Sequence, residues 1–426
     1  MIRQGNLDRK TMLQLLGAGS AAVAGGAPLL ASADSDVSQI AKYIGPIDEA
    51  HAAKGLAYDL GATLPLTGYA AYYGQVMSQG MKLAASHIAA LGGPNLNIIY
   101  KDDKGGDPQA GVTAARELGL APVGAMLASY VADLGAMVPG IAQYKIFTLD
   151  GGGGVGVFEQ SKPYFYGSIA ITPNDALPGV AKYIREKLPS VKRISSVGWD
   201  IGPATQLVTN QIKSTFSGSG LTIGAIELTK IGQTDYANTI QKVKEDKPDL
   251  VILSIYGDDT GYFIKQYATS GINKPLFIFT HTAGAAKIAG PAYDGVYLAF
   301  DFFDAQNPPN GWAKIFVDEY QKAYNVAPDY YAANYYEDTF VIWDLIRRVL
   351  AKGGNPKDGE QLDKAFRLQP WFPSLYGGSP GKAGTLSFDL ETHDVKRRQM
   401  TVSVWKNQKA RPLAYFNING ADFRIA

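Results

Sequence analysis

The sequence predicts an α/β protein of 426 residues built as two doubly wound parallel-sheet lobes. Three observations carry that prediction. Residues 57–110 run in the order strand, loop, long amphipathic helix, Gly-Gly turn, strand, and end past the acidic pair Asp102-Asp103. A β–α–β crossover is right-handed and returns the chain to the same sheet, so this order builds parallel strands whose ends open onto a crevice. After residues 169–173 the same rhythm starts again, and a strand at 295–300 leads back toward the first lobe. A chain this long exceeds one ordinary core, so two α/β units with more than one crossing between them follow.

Each element has a local reason. Residues 34–54 form a polar lead-in with room for one short helix. Apolar runs at 96–100, 124–127 and 146–149 read as buried strands, and 108–118 and 131–143 as the helices between them. In the second unit a helix at 177–187 precedes strands at 193–198, 221–226, 250–255 and 275–279. Helices at 204–216, 236–245 and 260–270 alternate with them. Beyond the return strand come helices at 312–324, 331–351 and 359–366. The tail alternates at 384–388, 398–405 and 412–416, as strands do.

Composition narrows the function. Hydrophobic residues make up 46% and charged residues 19%, and the formal charge is +1, so no long-range field draws the chain to nucleic acid or an acidic membrane. The one basic triplet, Lys396-Arg397-Arg398, reads as a solvated strand end. With no cysteine, disulfides, thiolate catalysis and Cys-based metal sites are excluded. His51, His87, His281 and His393 stand at no metal-ligand spacing, so neither metal nor cofactor is expected. Arg3, Arg9 and Lys10 precede an apolar run from Met12 to Leu30 that ends on the small-x-small site Ala31-Ser32-Ala33. Residues 1–33 therefore read as an export signal, and the mature protein is expected in the periplasm. The Asp8-Arg9-Lys10-Thr11 stretch resembles a twin-arginine motif with lysine in second place, which leaves general secretion an equal route. No other segment approaches 18 apolar residues, so nothing is expected to span a membrane after cleavage.

The loops after the strands carry the chemistry. Pro65, Thr67, Gly68, Tyr72 and Tyr73 follow the first strand without a nucleophile–base pair or a phosphate-cradling lysine. Such a loop suits a protein that holds a small molecule without converting it. Gly151-Gly152-Gly153-Gly154-Val155-Gly156 formally satisfies GxGxxG, the one feature that favours an NAD-dependent dehydrogenase. A dinucleotide site needs a helix to begin at once, and the continuation through Pro163 offers none. Bare glycine amides suit instead either a connector or a ligand carboxylate. Ser129-Tyr130 combines a hydroxyl with a following helix start, a small anion site or only a helix cap. Trp199, Ile201 and Tyr256 stand past strands of the second unit, where rings form an apolar wall or simply pack. His281 also follows a strand, with a ligand role and a structural role equally open. Without G-x-S-x-G a hydrolase triad has no presented serine. Asp102, Asp103 and Asp107 lack calcium-loop spacing and read as a solvated strand end.

Taken in order, GATLPLTGYAAYYG (61–74), GMKLAASHIAALGG (80–93), YKDDKGGDPQ (100–109), Ser129-Tyr130, residues 146–154, GQTDYANTIQKVKEDKPDLVILS (232–254) and AANYYEDTFVIWDLIRRVLAKGG (332–354) resemble the solute-binding proteins of branched-chain amino-acid ABC importers, the leucine/isoleucine/valine-binding family. The resemblance implies the type I periplasmic binding fold, with two lobes joined by a three-segment hinge that closes on ligand. On that plan residues 55–172 and 301–383 form lobe one, and 173–300 and 384–426 form lobe two. The partners implied are a small solute and a membrane permease, with the protein expected to be a monomer. An exported sensor of the same fold is the alternative role. Matched by position, Ser129 with Tyr130 and the loop of Gly151, Gly152 and Gly153 would hold a ligand carboxylate. Tyr73 would flank the ligand tail, and Trp199, Ile201 and Tyr256 would cover it on closure. Amino-acid binders of the family commonly place an acid in the loop matching Thr280-His281-Thr282 to meet the ligand ammonium, and this chain has none there. Either Asp258 or Asp259 substitutes, or the ligand is a different carboxylate or amide with an apolar or aromatic part.

Overall fold

In this computed structural model the chain is described over residues 36–426, except 69, 122, 130–134, 154–157, 171–174, 201 and 301–302. The export signal read at 1–33 lies outside the described residues. The first sheet uses β1 (Ala57–Leu64), β2 (Asn95–Asp102), β3 (Ala125–Ala128), β4 (Phe147–Asp150) and β5 (Phe165–Gly167), ordered β2-β1-β3-β4-β5. Every neighbouring pair in it is parallel. Because β1 pairs with both β2 and β3, the strand order reverses there, and the crevice opens past Leu64 and Ala128. Between these strands run α1 (Ala71–Ala90), α2 (Pro108–Leu120) and α3 (Val138–Tyr144). Pro108 sits in the first turn of α2, and Asp107 caps it by accepting from the Ala110 amide at 2.7 Å. Helix α3 is shorter than its sequence pattern, beginning at Val138 with Pro139 in its first turn.

The second sheet has eight strands. In chain order β6 (Arg193–Trp199), α5 (Pro203–Gly218), β7 (Thr222–Thr229), α6 (Ala237–Asp246), β8 (Leu250–Ser254), α7 (Asp258–Tyr267), β9 (Leu276–Ile278), α8 (Ala283–Ala289) and β10 (Tyr297–Phe300) follow α4 (Leu177–Lys187). Its parallel part is β10-β9-β8-β6-β7. Helices α9 (Gly311–Tyr324), α10 (Tyr330–Leu350) and α11 (Gly359–Leu368) then follow, α9 and α10 packing against α1, and α10 and α11 against strands β3 and β4 of the first sheet. A separate antiparallel sheet, β11 (Trp371–Ser379), β12 (Lys382–Asp389) and β13 (Asp394–Arg397), follows. Finally β14 (Met400–Lys406), β15 (Lys409–Asn417) and β16 (Ala421–Ile425) extend the second sheet antiparallel from β10.

Helix α10 is the pivot of the packing. Most of it is buried, including Asn334, Glu337, Asp338 and Thr339. Its polar residues are buried because partners meet them. Glu337 Oε1 accepts from Arg398 Nη2 at 2.9 Å, and its Oε2 accepts from Ser374 Oγ at 2.7 Å and from the Leu375 amide at 2.6 Å. Arg398 is itself buried and lies over the Tyr376 ring, so it is not the solvated strand end its basic triplet suggests. No helix among the described residues is long and apolar enough to cross a membrane.

Candidate functional site

The C-terminal ends of the first sheet bring Ser129 beside Asp103. Asp103 is fully buried, contrary to the solvated strand end expected of it, because its carboxylate closes the turn after β2. It accepts from the amides of Gly105 at 2.9 Å and Gly106 at 3.3 Å, and from Ser129 Oγ at 2.9 Å. Burial pushes its pKa up to about 6, with those hydrogen bonds opposing the shift. The Ser129 proton is therefore engaged, and what its hydroxyl retains for a ligand is acceptor capacity. Asp102 braces the loop after β1 in the same way, taking the amides of Leu66 and Thr67 and the Thr67 hydroxyl.

After β4 the glycine run turns back on its own strand. The amides of Gly152 and Gly153 donate to Asp150 Oδ1 at 2.7 and 3.1 Å. Gly153 has φ +108°, which an L side chain rarely adopts. Gly151 is fixed by a neighbour, since a Cβ there would stand 2.6 Å from Asp338 Oδ2. Strand β5 follows at Phe165, and no helix begins among the described residues 158–170, so the GxGxxG spacing lacks the helix that a pyrophosphate needs.

Tyr73 reaches from the first turn of α1 to the end of β8. Its ring meets Tyr331 edge-on at 5.2 Å, and a Cβ on Gly257 would stand 2.5 Å from its hydroxyl. Gly257, at φ +62°, is thus bare where an aromatic residue beside one sheet presses on the loop of the other. Trp199, the last residue of β6, and Tyr256, just past β8, meet edge-on at 5.2 Å. The Trp199 indole donates to Asp259 Oδ2 at 3.0 Å, and the Gly232 amide donates to the same oxygen at 2.8 Å. Asp259 is therefore built into the loop. Asp258 is exposed, lies close to Gly284, and its charge raises the pKa of the Tyr73 hydroxyl, for which burial is the main cause.

His281 is held by residues of its own lobe. Its Nδ1 pairs with the Tyr293 hydroxyl at 3.0 Å and its ring stacks on Trp405 at 4.2 Å. Burial lowers its pKa to about 4, so the ring is neutral near pH 7. Tyr130 and Ile201 lie outside the described residues. The sequence reading missed Tyr331, Asp338 and the buried Asp103, each placed by a long-range contact. Among the described residues no cluster of His, Asp or Glu is arranged to hold a metal.

Comparison with known proteins fits this geometry. A family model described as periplasmic binding protein matches residues 57–410. A Leu/Ile/Val-binding protein homolog 1 from Brucella melitensis is 24% identical over 327 residues, covering 75% of this chain and 84% of that protein. The solute-binding protein of an ABC transporter from R. palustris, solved with benzoate, superposes with a TM-score of 0.72 at 18% identity, over 87% of this chain and 98% of the other. The branched-chain amino acid transporter substrate-binding protein from Streptococcus pneumoniae, solved with isoleucine, gives 0.71 at 19% identity, over 85% and 99%.

Proposed function

Because this chain belongs to the periplasmic binding protein family, a family of binding proteins rather than enzymes, we propose that it captures one small carboxylate- or amide-bearing solute in the cleft between its two sheets and delivers it to the permease of an ABC importer. The observation that carries this reading is the meeting of Tyr73 with Gly257 beside the Trp199–Tyr256 pair. Aromatic faces from both sides converge there over strand ends, where open α/β sheets take ligands. A cleft of that kind holds an apolar or aromatic body and leaves polar selection to few groups. Ser129 and the loop of Gly151, Gly152 and Gly153 would line the first wall, with Tyr130 beside them. Trp199, Ile201 and Tyr256 would close the second. His281, held by Tyr293 and Trp405, would support that wall rather than touch the solute. The solute bound by the R. palustris protein is benzoate and that bound by the S. pneumoniae protein is isoleucine, so both ligand classes belong in the test.

The test is thermal unfolding against branched-chain and aromatic amino acids, benzoate-type acids, short-chain acids, amides and urea. A solute at ~100 times its Kd should stabilise by about 2.7 kcal/mol. Failure of the whole panel to shift the unfolding temperature would sink the proposal. The periplasmic location follows from the same reading and is checked by fractionating cells that express the full chain.

A further inference from the structure

A second cavity, of about 280 Å³, opens between the segment entering α9, strand β11 and the outer strands of the second sheet. It shares no lining residue with the Tyr73, Trp199 and Tyr256 group. Ordinary small-molecule sites begin at ~300 Å³, so the space suits a compact ligand of one ring and a head group. Phe303 and Tyr376 stand on one side, their rings meeting edge-on at 5.6 Å. The facing wall is a sheet surface whose register is fixed. Thr401 of β14 stands opposite Tyr415 of β15, and Tyr415 stands opposite Arg424 of β16. Directly opposed residues share a face, so these three side chains make one row across the strands. Alternation along the chain brings Gln399 and Ser403 to the face of Thr401, and Ser403 Oγ lies 3.1 Å from Thr401 Oγ1. All five line the cavity.

This wall has donors to spare. In the Ser403–Thr401 pair one hydroxyl donates to the other, and the second proton has no acceptor among the described residues. Arg424 is exposed and lies 4.3 Å over the Tyr415 ring, with no carboxylate partner among the described residues. Stacking holds the guanidinium plane against the ring and leaves its N–H edge open. The Gln399 side chain has no hydrogen-bond partner among the described residues either. The one acid in the lining, Asp304, is taken up by its own turn. Its Oδ1 accepts from the Gln306 amide at 2.9 Å and its Oδ2 from the Asn307 side chain at 2.8 Å. An anion that meets the Arg424 fork spends two oxygens on it, and a third is needed for the hydroxyl proton or the Gln399 amide. A carboxylate has two oxygens, whereas a phosphate monoester or a sulfonate has three. Phe303, Tyr376 and Tyr415 supply faces for a flat apolar body.

We infer that this cavity is a second ligand site, for a small organic oxyanion with three terminal oxygens on an aromatic or apolar body. It is separate from the cleft and does not rest on the solute-binding reading. The probe is 4-bromobenzenesulfonate, with 4-bromobenzoate as the two-oxygen control of equal charge and similar body. Bromine anomalous scattering from soaked crystals should place the sulfonate among Phe303, Tyr415 and Arg424. In calorimetric titration R424Q should weaken sulfonate binding about 10-fold or more, in line with the loss of a bidentate charge-assisted pair. G257V should leave it unchanged, and binding of 4-bromobenzoate should not respond to R424Q. Q399A should weaken the sulfonate by a smaller factor, and it serves if R424Q does not fold. No bromine in the cavity, or binding that R424Q and Q399A both leave intact, overturns the inference. So does a bromine peak without titratable binding in solution, which marks binding at crystal concentration only. Sulfonate binding abolished by G257V belongs to the cleft and overturns it too, and an equal loss of both probes in R424Q overturns the three-oxygen requirement. None of these results bears on the solute-binding reading, which the panel above decides.

Discussion

Replacing Arg398 by methionine probes the buried charge that joins α10 to the segment entering the second sheet. The guanidinium donates to Glu337 Oε1 at 2.9 Å and to the Ser168 carbonyl at 2.6 Å, and it lies 4.3 Å over the Tyr376 ring. Neither side chain of the Glu337–Arg398 pair has any exposed surface. R398M would leave the Glu337 carboxylate buried without its cation, and such a loss costs about 3–5 kcal/mol. At roughly 2 cal/mol/K of unfolding entropy per residue, ~4 kcal/mol lowers the unfolding temperature of a chain this long by about 5 °C. E337Q should cost a comparable amount, because it leaves the buried Arg398 cation without its counter-ion and turns an amide NH2 toward groups that donate to Glu337. The assay is urea unfolding of R398M, E337Q and the double variant, read as a double-mutant cycle. The double variant should recover about 2 kcal/mol or more relative to the sum of the singles. A loss below ~1 kcal/mol for R398M, or strict additivity, would refute the claim that burial makes this pair indispensable.

Three further outcomes follow from particular contacts. G257V places carbon where the Tyr73 hydroxyl rests and at a positive φ, so it should weaken binding of any solute that stabilises the wild type by about 10-fold or more, checked by titration; unchanged affinity would remove Tyr73–Gly257 from the closure. The folded-state pKa of His281 lies below its ordinary 6.5, at about 4, so the folded form resists protonation there. Relative to H281N, wild type should therefore lose stability as the pH falls from about 6.5 to about 4, by up to ~3 kcal/mol, and show no further loss below that, measured by urea unfolding across that range. Asp338 goes the other way. Burial raises its pKa to about 8, so the folded chain holds a proton the unfolded chain releases, and stability falls as the pH rises from about 4 to about 8. D338N should then stabilise the protein most at pH 8 and progressively less toward pH 4; a pH-independent difference would contradict the buried neutral acid.

The parallel part of both sheets was legible because buried strands and amphipathic helices alternate there with clear period changes. The antiparallel additions were less so. Strand β11 reads WFPSLYGGS, and its proline and paired glycines look like a loop until β12 bonds to it across a bulge. Helix α8 is seven residues of small side chains, too short for a periodicity to show, although Thr282 caps it through the Ala285 amide. In the site, Trp199 and Tyr256 were legible as residues at strand ends, Trp199 closing β6 rather than following it, and the structure pairs them. Asp103 was not, since an Asp-Asp pair before Lys-Gly-Gly looks solvated, and its contact with Ser129, 26 positions away, cannot be read from the local pattern. Asp338 was hidden by its neighbours. On a helix buried nearly all round, Asn334, Glu337 and Asp338 resemble a polar face while pointing at Tyr376, Arg398 and Ser168.

On the proposed function, one small solute occupies the cleft beside Tyr73, Trp199 and Tyr256. Native mass spectrometry of the folded protein, purified from its own cells and titrated with the solute panel, measures this directly. A single adduct of one small organic molecule per chain is expected, lost on denaturation and weakened by G257V. A bare chain mass under every solute, or adducts that G257V leaves untouched, would contradict it.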